Sequence, residues 1–82
     1  MKREQVLNLL KNNAANVSRA ETVLDIIYNK IYDEAMRGKG CLEMMWQYKE
    51  PVEGLVLHRL KEDGYDVSYI TLEPRMVLIS WI

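Results

Sequence analysis

Four scarcities bound this chain of 82 residues: one cysteine, one histidine, no phenylalanine and no long apolar run. With Cys41 alone, no internal disulfide can form and a cysteine-based zinc site lacks ligands, which suits a reducing compartment. With His58 alone, sites built from several histidines are ruled out. Cys41 and His58 are then the sole nucleophile and base combination, and nothing near either residue in sequence supplies a third, orienting group. No apolar stretch approaches the roughly 18 residues of a membrane span. The leading MKREQVLNLLKNN also lacks the unbroken apolar core of a signal peptide. These absences lead to the expectation of a soluble, cytoplasmic protein. Proline is confined to Pro51 and Pro74, and only four glycines occur, so no linker divides the chain. One domain is expected over residues 1–82, with 1–17 a peripheral helical segment and 18–82 the main body.

What is present is the composition of a folded protein, since 49% apolar with 28% charged residues fits neither a disordered tail nor a membrane segment. A chain this short should bury roughly 60 to 65% of its unfolded surface, leaving modest stability unless a partner adds burial. Net charge is −1. Residues 1–40 carry seven Lys/Arg against five Asp/Glu, and 41–82 carry four against seven. Halves of +2 and −3 are too weakly polarised for a nucleic-acid arm or an acidic mimic.

The clearest local signal lies in PVEGLVLHRLKEDGYDVSY, residues 51–69. Val52, Leu55, Val56 and Leu60 share one helical face, Pro51 suits the first helical position, and Gly64 supplies the left-handed residue that ends many helices. Upstream, Val6, Leu9 and Leu10 predict a short helix from Lys2 to about Asn12. Ser18-Arg19-Ala20-Glu21 matches a capping box and predicts a second helix from Ser18, packed through Ala20, Leu24, Ile27 and Ile31 and closed by Gly38. Arg37 and Lys39 suit the negative end of its dipole.

Between Gly40 and Pro51, Leu42, Met44, Trp46 and Tyr48 alternate with Cys41, Glu43, Met45 and Gln47, the period of a half-buried strand over 41–49. Tyr65–Leu72 and Met76–Ile82 are β-rich runs around Glu73-Pro74-Arg75 and predict a hairpin. Val77, Ile79 and Trp81 share one face of the last strand, with Leu78 and Ile82 on the other. A strand apolar on both sides belongs in the centre of a sheet or under a cover. The expected fold class is α+β: two N-terminal helices, then strand, helix, strand and strand, giving a small three-stranded sheet with helices packed on one face.

Most chemically suggestive residues have a plainer reading. His58 reads as a surface histidine, and Cys41 as a packed free thiol. Gly38-Lys39-Gly40 lacks the spacing of a phosphate loop. Asp33-Glu34 and Glu62-Asp63 sit among other charges near helix ends and read as solvated. No catalytic residue, metal site or cofactor site emerges. Met36, Met44, Met45 and Met76 fit core filling one by one, although together thioethers make an adaptable surface. A chain of this size hides about one tryptophan fully, which leaves Trp46 and Trp81 divided between core and interface. The uncovered sheet face is the candidate interface, with Met44, Trp46, Tyr48, Tyr65, Tyr69 and Trp81 as its candidate residues.

Ala35…Gly38-Lys39-Gly40, then Leu60…Gly64-Tyr65-Asp66-Val67, then Ile79-Ser80-Trp81 resemble a pattern in small accessory proteins of tailed bacteriophages. The resemblance covers about residues 31–82. It implies a small α+β domain without catalytic residues that assembles into oligomers or acts on a host protein. The expected function is thus a non-enzymatic protein-interaction module, a homo-oligomer with a possible host or phage partner and no membrane. A winged-helix DNA-binding domain competes if 41–49 is helical, with the Pro51 helix for recognition and 65–82 as the wing. The mixture of Glu53, Glu62 and Asp63 with Arg59 and Lys61 on that helix disfavours nucleic acid.

Overall fold

The computed structural model describes residues 1–82, Lys11 by its backbone only. The chain is α+β, in the order α1 (Arg3–Lys11), α2 (Ala14–Met36), β1 (Cys41–Met45), α3 (Val52–Glu62), β2 (Asp66–Leu72) and β3 (Arg75–Ser80). This is the expected order of elements. The three strands form one antiparallel sheet in the order β1-β3-β2, so the doubly apolar β3 is central. Residues 41–45 are strand, which removes the helix that the winged-helix reading required before α3.

Both long helices end as their glycines dictate. After α2, Gly38 has φ 81° and donates to Ala35 O at 2.9 Å, while Lys39 N–H donates to Glu34 O at 3.1 Å. After α3, Gly64 has φ 93° and donates to Lys61 O at 3.1 Å, and Tyr65 N–H donates to Leu60 O at 2.9 Å. These paired bonds are the Schellman closure, which needs a left-handed residue that a Cβ would strain. The last turn of α2 is also pinned by Glu34, which receives Arg37 at 3.3 Å and Lys39 at 3.1 Å.

The start of α2 departs from expectation. The helix begins at Ala14, and Asn13 is its cap, its side-chain oxygen accepting from Ala15 N–H at 2.9 Å. Ser18 lies inside the helix, where its carbonyl accepts from the Thr22 hydroxyl at 3.1 Å. The capping-box match loses because Ala14 and Ala15 are strong helix formers and Asn13 provides an equally good cap one turn earlier. Pro51 caps α3 from just outside it, one residue from the expected position.

The core lies between the helices and one sheet face. Ala20, Leu24, Ile27 and Ile31 of α2 and Val56 and Leu60 of α3 meet Leu42, Met44, Trp46, Val77 and Ile79 from the sheet side. Each large apolar side chain enclosed this way stabilises the fold by about 1.5 to 3 kcal/mol before entropy is counted. At the chain's end Trp81 N–H donates to Gly40 O at 3.1 Å, and a Cβ at Gly40 would land in the Ile82 side chain. Among the described residues, no helix is long and apolar enough to cross a membrane.

Candidate interaction surface

The register fixes which side chains share each face of the sheet. Leu42 pairs with Ile79 and Met44 with Val77, while Val67 and Tyr69 of β2 pair with the same two residues, so these six face the helices. The opposite face consists of three cross-strand rows. Cys41, Ser80 and Asp66 form the first, Glu43, Leu78 and Ser68 the second, and Met45, Met76 and Thr71 the third. No helix covers these rows. Met45 is 51% exposed, and the central Met76 and Leu78 are half-buried only by their neighbours on the sheet. The register slips between Tyr69 and Thr71, leaving Ile70 exposed at the irregularity on the outer strand.

Aromatic residues sit elsewhere, which corrects the composition expected for the open face. Met44 and Trp46 are buried in the core, and Tyr48, Tyr65 and Trp81 are half-buried against it. Tyr69 alone of the six candidates is exposed, and it points to the helix side. Their destination follows from polar partners. The Glu53 carboxylate of α3 accepts, on one oxygen, the Trp46 indole N–H at 2.7 Å, Arg75 at 3.1 Å and the Tyr69 hydroxyl at 3.4 Å. A tryptophan can be buried fully when its N–H finds such an acceptor, and this one draws the even phase of β1 inward. Tyr48 stands edge-on to Trp46 at 4.9 Å between centroids, and Arg75 lies 5.8 Å over the Tyr69 ring.

A second aromatic group closes the other end of the core. Tyr65 lies 5.9 Å from Tyr28 and 6.5 Å from Trp81, centroid to centroid. The Tyr28 hydroxyl donates to Asp63, just past the end of α3. Loss of solvent, then the hydrogen bond to Asp63 and its negative charge, push the Tyr28 phenol up to about 12. Tyr69 is also raised, first by loss of solvent and then by the charge of Glu53, against the opposing Arg75. Tyr48 is raised by loss of solvent alone.

Cys41 is exposed, and not packed as expected, because it belongs to the outward phase of β1. His58 is a surface residue paired with Glu62 at 2.9 Å one turn along α3. Among the described residues, no three His, Cys, Asp or Glu side chains gather as a metal-binding group. Met45 and Met76, weighed with the other methionines as an adaptable surface, and Leu78, assigned only to the face opposite Val77, were not among the expected interface residues. The signal for them was the odd phase of β1, and the assignment of Leu78 to the face opposite Val77 and Ile79.

Fold and register together define a small α+β protein with a one-sided helical layer and an uncovered sheet face. Compared with known protein families, curated proteins and solved structures, the chain matches none.

Proposed function

We propose that the chain is a non-enzymatic protein-interaction module that self-associates. Its uncovered sheet face carries the reading: a central strand with Met76 and Leu78 facing outward, beside Met45, on the side that has no helical layer. Central strands favour apolar residues on both faces where both are covered, so β3 has the composition of a strand with a second cover. The polar clusters support a binding role over a catalytic one, because Glu53 and Asp63 hold neighbouring elements together. The phage resemblance adds a second partner, a host or phage protein, for the assembled form. Light scattering after size-exclusion chromatography tests self-association. A mass at a multiple of 9.6 kDa that persists on dilution supports it. A monomer at every concentration up to the solubility limit overturns it.

A further inference from the structure

We propose that the open sheet face of each copy is covered by helix α1 of a second copy, in a head-to-tail contact. This rests on the self-association reading above and names the segment that does the covering. Helix α1 is docked with its apolar stripe outward. Val6, Leu9 and Leu10, spaced to share one face, are 41%, 60% and 42% exposed. The side turned to the body presents half-buried Leu7, and Asn8, which lines a cleft with Leu55 and His58 of α3. An amphipathic helix arranged this way gains little from its own domain.

Charge selects the counterpart. The three open rows of the sheet contain Glu43 and Asp66 and no lysine or arginine. In α1, Arg3 precedes Val6 by three residues and Leu10 by seven, so it flanks the apolar stripe. Glu4 is in line with Asn8, on the opposite side. The helix is about 14 Å long, and the outer strands of a three-stranded sheet are about 10 Å apart, so one α1 spans the face. Direct packing of two sheet faces would bring two copies of Glu43 and Asp66 into one layer, with cations only at its margins, where Lys39 borders Glu43 and Lys61 borders Asp66. Within one chain the seal cannot form, because α1 rests on α2 and α3, on the far side of the sheet. Because the α1 stripe and the open face lie on opposite sides of one copy, the contact repeats head to tail, each copy giving its α1 to one neighbour and its open face to another.

Cys41, the only cysteine, stands on the open face in the same row as Asp66 and gives the test. The Val6→Cys variant, oxidised mildly as the full chain, should give disulfide-linked dimers and larger species whose peptide map joins position 6 of one chain to Cys41 of the next. Leu9→Glu, at an exposed site that leaves far-UV circular dichroism unchanged, should reduce the mass to that of the monomer at a concentration where the unaltered chain is associated. Met45→Glu should do the same from the other side of the contact. A disulfide between two Cys41 residues in the unaltered chain, or an association insensitive to Leu9→Glu, overturns the head-to-tail contact and leaves self-association standing. A monomeric unaltered chain overturns both.

Discussion

At the scale of single residues, Glu53 decides more than its exposed neighbourhood suggests. One of its oxygens ties α3 to Trp46 after β1, to Tyr69 on β2 and to Arg75 on β3. Of these three, only the Trp46 bond is sheltered, since Trp46 is 2% exposed, while Tyr69 and Arg75 retain access to water. Removing the carboxylate therefore leaves one buried donor without an acceptor, and that desolvation outweighs the loss of the exposed ion pair. Glu53→Ala should cost about 1 to 3 kcal/mol of stability. Urea unfolding followed by tryptophan fluorescence measures it, and Arg75→Ala, which breaks only exposed contacts, to Glu53 and to the Tyr69 ring, should cost less than Glu53→Ala.

At the scale of elements, the boundary of α2 separates two readings of the same sequence. Ser18-Arg19-Ala20-Glu21 has the letters of a capping box, yet the chain is already helical there because Asn13 caps the helix and Ala14-Ala15 extend it. Asn13→Ala should cost about 0.5 to 2 kcal/mol, whereas Ser18→Ala, in mid-helix, should change stability by less than about 0.5 kcal/mol. Thermal or urea unfolding of the two variants decides between the caps. Elements whose start or stop is written in backbone chemistry were legible from sequence: Gly38 and Gly64 close their helices as expected, and the alternation from Cys41 onward marks β1. What alternation alone does not reveal is which phase turns inward. Trp46 goes in because Glu53, seven residues away on another element, accepts its N–H. That choice carries Met44 into the core and turns Cys41, Glu43 and Met45 outward, so the open face was legible as a face before its residues were.

At the scale of the whole molecule, the shape reflects where apolar surface has been left. The extents are 48 × 26 × 18 Å and the radius of gyration is 13.7 Å, against about 12 Å for a compact domain of this length. Elongation comes from the N-terminal end, since α2 is about 34 Å long and its buried residues begin only at Ala20. Helix α1 lies beside that exposed end with nine residues, too few for a stable helix alone, where about 12 to 15 are marginal. Its order must come from contacts, and in one copy its apolar stripe makes few. In the proposed head-to-tail contact, amide protection over residues 3–11 should depend on chain concentration, because exchange proceeds through copies whose α1 is free. Well above the dissociation constant, the free fraction falls as the square root of concentration, so a hundredfold rise should slow exchange there roughly tenfold by mass action. Hydrogen exchange read by mass spectrometry at two concentrations measures this. Protection over residues 3–11 that stays the same at both concentrations while light scattering shows association would place the contact elsewhere and leave α1 a fraying arm.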